Sequence, residues 1–187
     1  MVQTPTKPIS LTDFLALPEI KPAREYFNAH CLQKPMPQGE HSTIQGELVS
    51  VINASLKPIR IARAYPELRC TFAGSSIVPD VSVFRWERIP RKADGTVANA
   101  FAIAPDWVIE ILSPEQRQTR VTAKILNCLN HGCELGWLID PSERSVLVYF
   151  SKLPTILLSQ KTEELPMPSF AENLVLTVGE IFDWLLV

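Results

Sequence analysis

The chain has 187 residues, 46% of them apolar and 20% charged, with a formal net charge of −2. That length suits one domain with a full core, and the near-neutral balance excludes a broadly basic nucleic-acid binder, leaving such contacts to a local patch. No apolar run reaches the length of a membrane span, and the first residues, Met-Val-Gln-Thr-Pro-Thr-Lys-Pro, lack the apolar centre of a signal peptide, so a single cytoplasmic domain is expected.

Residues 1–22 read as an extended lead-in with one helical turn at Leu11–Leu17, stopped by Pro18. Glu25–Lys34 suggests a hairpin turning at Asn28-Ala29, although alanine is poorly suited to the positive φ such a turn needs. A helix is predicted from Thr43 to Lys57, because Ile44, Leu48, Ile52 and Leu56 recur every four residues. Ser42 and Gln45 match a capping box at its start, and Pro58 ends it. Strands follow at 59–63, 67–73 and 77–84, then a long loop over 85–104 and a strand over 107–112. A second helix runs from Glu115 to Asn130 with Gly132 as its stop. Leu135–Ile139 and Val146–Phe150 form a hairpin around Asp140-Pro141. Residues 155–158 add an outer strand, and Val178–Leu186 a closing helix. This order implies an α/β fold with a mixed β-sheet flanked by helices.

Two acids interrupt otherwise apolar strands: Asp80 in Ile-Val-Pro-Asp-Val-Ser-Val-Phe and Glu110 in Asp-Trp-Val-Ile-Glu-Ile-Leu-Ser. An ionised carboxylate in such a strand needs a cation, a charge partner or hydrogen bonds. Taken singly, Asp80 is a turn residue after Pro79 and Glu110 a partner for Arg69 or another base across strands. Taken together, the two point to a shared cation site. Pro79 removes a ladder donor and implies an edge or bulge that aims Asp80 outward. Two carboxylates, the Ile111 carbonyl and waters suit Mg²⁺ or Mn²⁺. Lys124, on the second helix, is placed to reach back from the exit of the Glu110 strand, with Arg120 one turn earlier as a phosphate clamp.

His41 and Gln45 lie one helical turn apart. The plain readings are an exposed residue and a cap, and Gln45 is kept as a supporting group. Arg85, Arg88, Arg91 and Lys92, with Trp86, are the basic cluster available to a phosphate backbone. The four cysteines form no CxxC pair. Free buried thiols are expected, ahead of a zinc site around Cys128, His131 and Cys133.

Val78-Pro79-Asp80, then Val108-Ile109-Glu110-Ile111-Leu112-Ser113-Pro114, Lys124 and Gly136-Trp137-Leu138-Ile139-Asp140-Pro141 together resemble the Uma-type restriction endonuclease family of the PD-(D/E)XK nuclease superfamily. Met36–Ser42 and Gln45 fit the same family's first-helix region, and the resemblance runs from about residue 10 to the C-terminus. It implies a restriction-endonuclease-like fold, Asp80 and Glu110 as ligands of a divalent ion, and hydrolysis of DNA phosphodiester bonds. The superfamily's lysine stands two residues after the second acid. That position is Leu112 here, so the resemblance makes Lys124 its substitute. The family often carries an aspartate near Arg120, absent here, and a Glu-Tyr pair where this chain has Leu135-Gly136. Leu112 and Arg120 also ground an alternative: a nucleic-acid-binding or regulatory module that keeps the nuclease fold without turnover. A homodimer would let two sites act on two strands.

Overall fold

A computed structural model describes residues 9–114 and 116–186. The element order is α1 Leu11–Leu15, β1 Arg24–Phe27, β2 His30–Gln33, α2 Gly39–Leu56, β3 Ala62–Pro66, β4 Cys70–Phe72, β5 Ser75–Ile77, β6 Val81–Arg85, β7 Trp107–Ile111, α3 Gln118–Leu129, β8 Leu135–Asp140, β9 Ser145–Phe150, β10 Ile156–Leu158 and α4 Val178–Asp183. The strands form two sheets, not the single one expected. A four-stranded sheet runs β2-β1-β5-β4, and a six-stranded sheet runs β10-β9-β8-β7-β6-β3. In the larger sheet β7 and β8 are parallel and their neighbours antiparallel.

The six-stranded sheet is covered on both faces. One core joins Ile44, Leu48, Ile52 and Leu56 of α2, Ile181 and Phe182 of α4, and the sheet residues Val81, Val83, Ile109, Ile111, Trp137 and Val148. The opposite core joins Val121, Ile125 and Cys128 of α3 to Val108, Leu138 and Tyr149. Alternation along β7 therefore sends Ile109 and Ile111 towards α2 and Val108 and Glu110 towards α3. The apolar stripe predicted for α2 is the one it buries. Asn53 on the same helix fastens β3, accepting from the Ala64 N–H at 2.9 Å and donating to the Ala64 carbonyl at 3.0 Å.

Three local expectations need correction. The predicted strand 77–84 is two strands in two sheets, and Val78-Pro79-Asp80 is the crossing between them. Proline's missing N–H is harmless there because the ladder is already broken. The capping box at Ser42 does not form. α2 begins four residues before Thr43, with Gln38 as its N-cap and no side-chain cap bond, and Ser42 lies inside the helix. α3 starts at Gln118, and its predicted first residue, Glu115, lies outside the described residues, as do residues 1–8 of the lead-in. The Asn28-Ala29 turn does form, both residues taking positive φ, 51° and 60°. It closes β1 and β2 into a hairpin with Glu25 opposite Leu32.

Candidate active site

The site lies where the two sheets meet. Asp80, between β5 and β6, is 1% exposed. Its Oδ2 accepts the Ile111 N–H of β7 at 2.7 Å and faces His41 Nε2 at 3.2 Å. The Asp80 main chain is held as well: Gln45 Nε2 donates to its carbonyl at 2.8 Å. Gln45 is thus a support of Asp80 and not a cap. His41 is buried in the first turn of α2, against the expectation of an exposed residue, because that turn faces the junction. Ile111 meets Asp80 through its amide N–H, which ties the β5–β6 crossing to β7. The same residue carries the carbonyl expected to complete the ion's ligands.

Glu110 lies mid-strand in β7, also 1% exposed, and its Oε1 is 3.0 Å from Lys124 Nζ. The alternative partner, Arg69, is engaged elsewhere, with Glu19 at 2.9 Å. Lys124 comes from the sheet-facing side of α3 with Val121, Ile125 and Cys128, and its ammonium also meets both oxygens of Glu25, at 3.1 and 3.2 Å. Arg120, one turn earlier, is exposed together with Arg117.

Glu25 and Lys34 escaped the sequence reading. Glu25 of β1 is buried, and its Oε1 accepts the Val78 N–H at 2.8 Å. Lys34, one residue past β2, donates to the Val78 carbonyl at 2.8 Å and to Asp80 Oδ1 at 2.6 Å. The available signal was the hairpin itself, which carries opposite charges on its two open ends. Nothing in its sequence says which way those ends point.

The electrostatics follow from burial and charge. Burial would raise the Asp80 carboxyl, but Lys34 and His41 outweigh it and hold the group well below the usual carboxylate range. Burial pushes Glu110 up to about 7, with Lys124 pulling it down and Asp80 adding to the rise. Burial would lower Lys124, but Glu110 and Glu25 keep it above its ordinary value, and Asp80 does the same for Lys34. With all three acids ionised, three carboxylates against two ammoniums leave one net negative charge.

Two buried atoms here lack a hydrogen-bond partner: Glu110 Oε1 and His41 Nδ1. The 3.0 Å approach of Lys124 to Glu110 Oε1 is thus a charge contact without good hydrogen-bond alignment. A buried carboxylate oxygen in that condition suits a further cation or a water. No group of three or more His, Cys, Asp or Glu side chains among the described residues is arranged to hold a metal. The donor set that remains, two hard carboxylates completed by water, is the kind Mg²⁺ accepts, since that ion keeps much of its hydration.

The basic loop is elsewhere. Arg85 closes β6, five residues from Asp80, about 16 Å along an extended strand. Its guanidinium meets Glu134 at 2.6 Å, and Arg88 also pairs with Asp106, which starts the opposite end of β7 from Glu110. Arg91 donates to the Trp86 carbonyl, and Lys92 is exposed. Arg85 and Arg88 are thus engaged with Glu134 and Asp106, towards the end of β6 remote from Asp80. Cys70, Cys128 and Cys133 are buried free thiols, and no helix among the described residues is long and apolar enough to cross a membrane.

A family model described as Uma2, putative restriction endonuclease, matches residues 11–179. A crystal structure of a putative nuclease belonging to DUF820 from Anabaena variabilis ATCC 29413 is 57% identical over 96% of this chain and 100% of that one, with a TM-score of 0.94. No curated protein matches.

Proposed function

The chain belongs to the Uma2 putative restriction endonuclease family, and from that premise we propose that it hydrolyses DNA phosphodiester bonds with a divalent ion, Mg²⁺ or Mn²⁺, held by Asp80 and Glu110. The observation that carries this reading is the pair of buried acids, Asp80 at the β5–β6 crossing and Glu110 in β7, linked through the Ile111 N–H. A bound divalent ion supplies an acidified water and a Lewis acid for the phosphoryl oxygen. The chain's own residues do the rest. Ile111, His41 and Gln45 fix Asp80, so its carboxylate is oriented before anything binds. Lys124, fixed by Glu25 and Glu110, presents a full positive charge to a developing hydroxide or phosphorane. It enters from a helix, which frees the superfamily position to be Leu112.

Arg117 and Arg120, exposed at the start of α3, supply contacts for the backbone.

The test is plasmid nicking with Mg²⁺ and Mn²⁺, beside calorimetric titration of the same ions. The wild type should nick, and Glu110→Gln and Lys124→Met should lower the rate by about a hundredfold or more, the scale set by loss of one stabilising group from a transition state. No nicking by the wild type with either ion, or full nicking by Glu110→Gln, rejects the proposal.

A further inference from the structure

The site holds two buried lysines, and they are not equivalent. Lys124 Nζ touches oxygens of two carboxylates, Glu25 and Glu110, from a rigid helix. Lys34 Nζ has one carboxylate contact, Asp80 Oδ1, and one carbonyl, that of Val78. It stands at the end of a short hairpin strand, two residues before the exposed Met36. Asp80 Oδ2 is already occupied by the Ile111 N–H and His41. Oδ1 is therefore the oxygen left for an ion, and the Lys34 ammonium covers it.

We propose that Lys34 is a built-in competitor for the divalent ion: its ammonium caps Asp80 Oδ1, must leave that oxygen for the ion to bind, and thereby sets the ion's affinity. The inference rests on the metal-site reading above. Like charges cannot share one carboxylate oxygen in a buried site at small cost. Lys34 has the means to move, since its long flexible stem ends in a single ion pair. A merely orienting lysine would behave in the opposite way, because its loss would loosen Asp80 and weaken the ion.

The sign of the affinity change is thus the readout. Mn²⁺ is titrated calorimetrically, without substrate, into the wild type, Lys34→Gln, Lys34→Arg and Asp80→Asn. Lys34→Gln keeps a donor for the Val78 carbonyl while removing the charge, and should tighten Mn²⁺ by about tenfold, the effect of deleting one nearby like charge. Lys34→Arg should bind as the wild type does, and Asp80→Asn should abolish binding. Unchanged or weaker binding by Lys34→Gln, with wild-type binding still dependent on Asp80, overturns this inference alone. Titrations that do not distinguish the wild type from Asp80→Asn overturn the metal reading and this inference with it. Amine-reactive labelling of the wild-type protein, mapped by mass spectrometry, needs no variant to fold. Mn²⁺ should raise labelling at Lys34 severalfold, and labelling that stays level or falls overturns the proposal.

Discussion

Asp80 is surrounded by an ammonium, an imidazole, an amide N–H and a glutamine, so its removal strands more than it deletes. Asp80→Ala leaves the Lys34 ammonium buried with only a carbonyl partner, and breaking a buried pair from one side costs about 3–5 kcal/mol. Removing both partners avoids that penalty. Urea unfolding should therefore show Asp80→Ala strongly destabilised and Asp80→Ala/Lys34→Met recovering at least half of the loss. A double variant less stable than either single one would mean that Lys34 is not the group Asp80 neutralises. The acids themselves were legible in the sequence because charge is conspicuous in an apolar strand. Lys34 and Glu25 were not, since a charged residue at the end of a hairpin is ordinarily solvated and its burial here depends on a second sheet meeting the first.

At the scale of elements, the position of Lys124 depends on how closely α3 lies on the sheet. Gly136 of β8 sets that approach: a Cβ built on it would stand 2.3 Å from Ile125 Cγ2. Gly136→Ala should therefore push α3 outward and destabilise the fold by about 1–3 kcal/mol, the usual cost of overpacking. Gly136→Ala/Ile125→Ala should be less destabilised than the sum of the two single variants, a favourable coupling in a double-mutant cycle read by urea unfolding. A cycle with no coupling would place the clash elsewhere. A large side chain at 136 has no room beneath Ile125. Helix and strand identities were readable because α2 and α3 repeat apolar residues at helical spacing and β7 is apolar but for Glu110. The division of the strands between two sheets was not readable. Periodicity reports which residues are buried and is silent on which sheet buries them, so Pro79 looked like a bulge and is a crossing. The partners of Arg85 and Arg88 were unreadable for a related reason, since Asp106 and Glu134 lie far along the chain and meet them only across the folded sheet.

For the molecule as a whole, Glu110 couples the site to global stability. Its carboxyl titrates near 7 in the folded protein against an ordinary value of 4.5, because burial and Asp80 outweigh Lys124. The folded state thus binds a proton that the unfolded state releases, and stability falls as pH rises through that window. Asp80 acts with the opposite sign, but its contribution is lost only as pH falls below the ordinary aspartate range, and so it is already complete at pH 5. A shift of this size amounts to about 3 kcal/mol across the window. In metal-free buffer the unfolding temperature should drop between pH 5 and pH 7.5, and Glu110→Gln should flatten that slope. Mn²⁺ should reverse the drop, since it needs the ionised carboxylate: at a hundredfold excess over its Kd a ligand adds about 2.7 kcal/mol. The ion should stabilise the protein at pH 7.5 and add little at pH 5, where Glu110 holds its proton. Thermal melts followed by the fluorescence of the buried Trp107 and Trp137, whose rings meet edge-to-face at 4.7 Å, report the transition directly. Equal stabilisation by Mn²⁺ at both pH values would mean the ion sits on some other group.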